Sequence, residues 1–182
     1  QLTGNETVVE AMAQPLITDT LDALWLEVRE VLKAPAGVDV ADYVAQLKQR
    51  FCNPAIKHRT AQIAMDGSQK LPQRLLTTLR ERLAKGLPSP ALATAIAAWM
   101  HFAVKTAHTP GAVLNDPLSA DILARASASN DAATLVEQLL SMDKIFGTDL
   151  QAHAGFKAEL FAGFCQLATN PHVATAPQIS VS

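Results

Sequence analysis

"ALATAIAAWMHFAV" (residues 91–104) is the most apolar run in the chain, and its reading decides the fold. It is 14 residues long and holds Thr94 and His101. A bilayer needs roughly 20 apolar residues in sequence, so the run predicts a buried core helix rather than a membrane span. Ser89-Pro90 gives the helix its start, because proline is tolerated at the first helical position, and the pattern extends over 90–107. His101, on this apolar helix, reads as a satisfied core or interface histidine.

Working outward, the signals stay helical. Asn5 or Thr7 caps a short helix reaching Gln14 before Pro15. Thr18 and Asp19 cap a longer one whose Leu21, Leu24, Trp25, Val28, Val31 and Leu32 recur at three- and four-residue steps. "APAGVD" (34–39) ends it, and Asp39 starts a helix over 39–51 that buries Val40, Tyr43, Val44, Leu47 and Phe51. Asn53-Pro54 restarts the chain into a helix over 54–65. Asp66-Gly67-Ser68 breaks it, and a helix from about 70 to 85 ends at Gly86. Pro72 is compatible only with that helix's first turn. Beyond the loop "AHTPGAVLNDP" (107–117), helices are expected at about 117–128, 130–145 and 149–168, with a frayed tail after Pro171. No β-alternating run appears. The expected class is all-α, one domain of about eight or nine helices.

Composition narrows the function classes. Aromatics are 5% of 182 residues, so the core must be built from Ala, Leu, Ile and Val. Cys52 and Cys165 lie far apart without CxxC spacing, which predicts buried free thiols and a reducing compartment, not a disulfide or zinc site. The five histidines are scattered and no HExxH occurs, so no metal is expected. Neither GxGxxG nor a Walker loop is present. No basic segment leads into an apolar run at the start, so no secretory signal is visible, and the expected location is cytoplasmic.

Charge is uneven. Residues 48–85 hold nine Lys or Arg against Asp66 and Glu81, a local balance of +7, while the rest of the chain sums to −9. Within that region "KHRTAQIAMDGSQKLPQRLL" (57–76) gathers His58, Arg59, Gln62, Asp66, Ser68 and Lys70 around one short turn. Helical steps from 58 to 62 would put His58 and Gln62 on one face. Lys70 would lie at a helix start, where free N–H groups favour anions and oxyanions. Asp66 and Ser68 read as supports that orient Lys70 or the amides of the turn. A nucleic-acid module is disfavoured: the pI is about 6.2 and no aromatic residue interleaves the basic ones between Phe51 and Trp99.

The stretch "YVAQLKQRFCNPAIKHRTAQIAMDGSQKLPQRLL" (43–76) resembles the polyol-specific long-chain dehydrogenases, the mannitol dehydrogenase family, most closely the fructuronate reductase branch. The carrying elements are Arg50-Phe51-x-Asn53-Pro54 and Gln62-Ile63-Ala64-x-Asp66-Gly67-Ser68-x-Lys70-Leu71-Pro72. "TGNETVVEAMAQP" (3–15) and "LATAIAAWMHF" (92–102) also look like their counterparts. The resemblance implies a multi-helical C-terminal dehydrogenase domain of the 6-phosphogluconate dehydrogenase C-terminal-like kind. In that family it follows an N-terminal Rossmann domain that binds NAD or NADP, with substrate between the two. The family's catalytic lysine, asparagine and histidine sit just upstream of the segment matched here, so residues 1–182 are expected to hold the helical substrate domain alone and to be inactive alone. By the same resemblance Lys70 matches a basic position that contacts substrate, and Gln62 matches one where an arginine can occur. His58 and Arg59 join them as candidate substrate-binding residues. The implied substrate is a keto sugar acid, whose carboxylate the basic region could meet, or else a neutral polyol such as mannitol or arabinitol. An isolated domain of this kind would expose its former cleft and is expected to self-associate.

Overall fold

Residues 90–107 do form one helix, with ten of its residues buried. The protein, seen in a computed structural model, is described over residues 2–173 and 179–181. Its elements in chain order are α1 (Val8–Met12), α2 (Pro15–Arg29), α3 (Val40–Phe51), α4 (Thr60–Ile63), α5 (Gly67–Leu71), a π-helical stretch Pro72–Leu76, α6 (Thr77–Ala84), α7 (Pro90–Ala107), α8 (Ser119–Ala126), α9 (Ala132–Leu140), α10 (Asp143–Ala152) and α11 (Ala154–Ala168). Among the described residues there are two isolated β-bridges and no strand. No helix of the described residues is long and apolar enough to cross a membrane.

Small side chains let α7 approach its neighbours. Ala93, Ala97 and Ala103 are buried on it, with Leu92, Ile96 and Met100 between them. On α11, Gly163 faces α7 so closely that a Cβ there would stand 3.1 Å from Thr94 Cα. Phe146, Phe156 and Phe164 fill the larger gaps. The start of α7 is capped from afar. Ser89 makes no side-chain cap. Instead the buried Glu27 carboxylate of α2 accepts from Ala91 N at 2.7 Å and Leu92 N at 2.9 Å. Glu159 of α11 accepts from Ser89 N. Buried Arg82 ties the corner together, donating to Ser89 Oγ (3.0 Å), Glu27 O (2.5 Å), Glu30 Oε2 (3.0 Å) and Pro88 O (2.6 Å). A buried helix end needs such partners, and here two other helices and Arg82 supply them.

Several expectations are corrected. The helix expected over 54–65 is confined to Thr60–Ile63. Asn53 Oδ1 accepts from Ala55 N in a local turn, and residues 56–59 run non-helical into a bridge between Thr7 and Arg59. On α3 no residue is buried, and Tyr43 is 53% exposed. Helix α2 starts at Pro15, so Thr18 lies inside it and donates to Pro15 O rather than capping. The long last helix is two, parted at His153, whose Nδ1 accepts from Phe156 N. Cys52 is exposed and Cys165 half-buried, not both buried. Burial and the nearby Asp131 charge raise the Cys165 thiol above its ordinary range. The tail is not wholly frayed: Ser180 N donates to Asn130 O and its carbonyl accepts from Ala132 N, while 174–178 lie outside the described residues. His101 behaves as expected. It is buried, bonded through Nε2 to Phe164 O at 2.8 Å and stacked on the Phe164 ring at 3.9 Å.

Candidate functional site

The site is built around the Asp66 turn. An N-terminal clamp places the approach to it. Val8 N donates to His58 O, Thr60 N to Glu6 O, and Thr60 Oγ1 to Asn5 O, which pins residues 58–60 and lets α4 run for a single turn. Asp66 then takes φ 55° and ψ 38°, the one non-glycine residue in the left-handed region among those described. Aspartate tolerates that conformation better than most side chains. The Asp66 N–H donates to Asn115 O at 2.9 Å, and its carbonyl accepts from Lys70 N and Gln69 N.

Two side chains, Asp116 and Trp99, and the Ile63 carbonyl hold Ser68, Gly67 and Lys70 in place. Ser68 donates through N (2.8 Å) and Oγ (2.6 Å) to the two carboxylate oxygens of buried Asp116. Asp116 Oδ1 also accepts from Leu118 N, so one carboxylate joins the turn to the 112–118 loop. Gly67 lies under the Trp99 indole, where a Cβ would fall 2.2 Å from Nε1. Trp99 in turn meets Phe146 edge-on, ring centres 6.2 Å apart. Lys70 Nζ reaches back to the Ile63 carbonyl at 3.2 Å.

This geometry brings Lys70 and Gln62 into one neighbourhood, since Ile63 follows Gln62 directly. Lys70 is half-buried and Gln62 exposed. His58 does not share a helical face with Gln62, because it precedes α4 in non-helical chain, and Arg59 stands at the N-cap of α4 with its side chain exposed. Asp66 holds Lys70 N and Gln69 N through its backbone carbonyl rather than its carboxylate. Asp66 makes no side-chain cap bond, whereas Asp116 does, and Ser68 is a buried donor to it. Nor is the helix start an open anion site: Ser68 N is satisfied by Asp116 and Gln69 N by Asp66 O. Sequence reasoning missed Asp116, Asn115 and Trp99. The Asn115-Asp116-Pro117 turn signal was visible, but its partner lies 48 positions away.

The +7 balance is also redistributed. Lys48 pairs with Asp22, Arg82 with Glu30, and Arg80 binds Asp149 through Nε (2.5 Å) and Nη2 (3.0 Å) while reaching Phe146 O. The Arg80 hydrogen bonds hold the Asp149 carboxyl below its usual range, and Asp149 raises Arg80. Among the described residues Arg50, Lys57, Arg59, Lys70, Arg74 and Lys85 keep no acidic partner. Beside the turn, α4, the C-terminal half of α7 and the 112–115 loop enclose a recess of ≈ 310 Å³. No group of three or more His, Cys, Asp or Glu able to hold a metal occurs among the described residues.

The model of the mannitol dehydrogenase C-terminal domain matches residues 1–168. The chain belongs to that family. D-mannonate oxidoreductase of Escherichia coli is 37% identical over 168 residues, covering 91% of this chain and 34% of that protein. Mannitol 2-dehydrogenase of Aspergillus fumigatus is 30% identical, covering 98% of this chain and 35% of its own. Among solved structures, the Pseudomonas fluorescens mannitol 2-dehydrogenase ternary complex with NAD and D-mannitol superposes with a TM-score of 0.83 at 28% identity, over 94% of this chain and 35% of that one. This mannitol dehydrogenase C-terminal domain thus spans about a third of the length of the relatives it matches. The all-helical class and the family expected from residues 43–76 are both borne out.

Chemically, the Lys70 ammonium gives one of its three donors to Ile63 O and keeps the others for an oxygen ligand. Gln62 adds an amide that can donate or accept. Such a pair has the donors and acceptors that hydroxyl or carboxylate oxygens require. The described residues contain no strand from which the pyrophosphate-binding turn of a Rossmann fold could spring.

Proposed function

We propose that this domain is the substrate-binding part of an NAD(P)-dependent cytoplasmic oxidoreductase that interconverts a keto sugar acid and its hydroxy form, of the fructuronate/mannonate type. The observation that carries the reading is the Lys70 ammonium held against the Ile63 carbonyl, beside Gln62, on a turn fixed by Asp116, Asn115 and Trp99. A cation positioned at the mouth of a rigid turn can bind the oxygens of a sugar and hold its carbonyl carbon in register for hydride transfer. Arg59 and Arg74, exposed and without acidic partners among the described residues, add a positive field suited to a uronate carboxylate. The 37% identity to D-mannonate oxidoreductase supports the same branch. The chemistry of hydride transfer would belong to the nicotinamide, and this domain's part is to bind and orient the sugar.

A neutral polyol is the second reading, favoured by the structural likeness to mannitol 2-dehydrogenase and by Gln62, which carries no charge for a carboxylate. The two are separated by assaying the longer protein that carries this domain for NADH and NADPH oxidation with fructuronate and with fructose. Turnover of fructuronate well above fructose is expected; turnover of fructose alone would overturn the sugar-acid reading.

A further inference from the structure

The recess beside the turn has chemistry unlike a sugar site. Its walls are the apolar side chains of Ala64, Met65, Phe102 and Val113. A polyol seated there would leave most of its hydroxyls without partners, at a cost that apolar walls do not offset. Four polar residues line it: Lys105, half-buried on α7, Asn115 on the loop, and Thr106 and Thr109. The Lys105 carbonyl accepts from Thr109 Oγ1, but its ammonium meets no acceptor or acid among the described residues. The Thr106 and Thr109 hydroxyl protons are already turned to the α7 carbonyls of Phe102 and Lys105. The single charge lining the recess is therefore a cation with its donors free, set at the edge of an apolar hollow open to solvent.

We propose that this recess is a second binding site, for a small aliphatic monocarboxylate. The hydrocarbon body lies between Met65, Phe102 and Val113, and the carboxylate meets Lys105 with Asn115 as a second donor. A volume of ≈ 310 Å³ admits a short acyl chain with room to spare. Charge-assisted bonding to an ammonium at the rim of an apolar surface orients such a ligand head outward. The site is linked to the Lys70 turn, because the carbonyl of Asn115 is the acceptor of the left-handed Asp66 N–H. Occupancy that moves the 112–115 loop therefore moves the anchor of the turn.

The test is a titration of the ¹⁵N-labelled chain with hexanoate, and separately with hexanamide, its neutral isostere, followed by two-dimensional NMR. Hexanoate is expected to shift the amides of 61–66 and 105–115, Asp66 included, and to bind about tenfold tighter than hexanamide. Lys105→Gln, a change at a half-exposed position, should reduce hexanoate to the hexanamide level. Ala64→Leu, which fills the recess and keeps the cation, should abolish both. Equal binding of the two probes, retention of hexanoate preference in Lys105→Gln, or shifts confined to other regions would each overturn the proposal. Shifts at 105–115 without movement of Asp66 would overturn the link to the turn.

Discussion

At the Asp66 turn a single buried carboxylate, that of Asp116, accepts from Ser68 N, Ser68 Oγ and Leu118 N. Removing it strands these donors in a place where little water reaches them. Asp116→Ala should therefore cost roughly 2–4 kcal/mol in urea unfolding, and Asp116→Asn less, since one carbonyl oxygen still accepts. Gly67→Ala should cost about 1–3 kcal/mol because the indole of Trp99 must give way, and the tryptophan fluorescence of the folded state should change with it. The turn itself was legible, since Asp-Gly-Ser is a strong local signal, but Pro72 follows a helix already begun at Gly67 and opens the π-helical stretch. The residue that holds the turn was not legible, because no local pattern ties position 116 to position 68. His58 shows the opposite failure: a helical step was counted across residues that the Thr7–Arg59 bridge keeps extended.

Between helices, the same long-range supply of partners recurs at the start of α7. Glu27→Ala should destabilise the fold by roughly 2–4 kcal/mol, and Glu27→Gln by less, because an amide oxygen can serve one of the two N–H groups. On the opposite side of α7, burial holds His101 below its ordinary value of 6.5, only partly opposed by the bond to Phe164 O. The unfolded chain then binds the proton more readily than the folded one. Stability is complete above about pH 6.5 and falls as the pH drops below it toward the lower folded-state value. His101→Gln should flatten that slope in unfolding measured from pH 7.5 to 5.5; an unchanged slope would show that other groups carry it. The helix α7 was legible because proline at its first position and an uninterrupted apolar run agree. The α3 stripe of Val40, Val44 and Leu47 was legible too, yet its burial was not, since periodicity shows which face is apolar and not what covers it.

For the molecule as a whole, the distribution of apolar surface bears on association. Leu26, Tyr43, Ile63 and Val113 are more than half exposed, and Val113 borders the recess beside the turn. Apolar surface of this kind favours association, so the 182-residue chain should show concentration-dependent self-association in sedimentation; a monomer at high concentration would contradict this. The charge of the molecule was countable but its disposition was not. Lys48, Arg80 and Arg82 are engaged by acids from outside the basic stretch, whereas Lys70 and the exposed Arg59 and Arg74 are among the cations with no acidic partner among the described residues. The most direct test is therefore kinetic. Under the proposed function, Lys70→Ala in a protein that joins this domain to a nucleotide-binding one should lower kcat/KM for the sugar by at least about thirtyfold, the scale of a lost charge-assisted hydrogen bond, with the unfolding midpoint little changed. An unaltered kcat/KM in a correctly folded variant would contradict the assignment of the Lys70 turn to substrate binding.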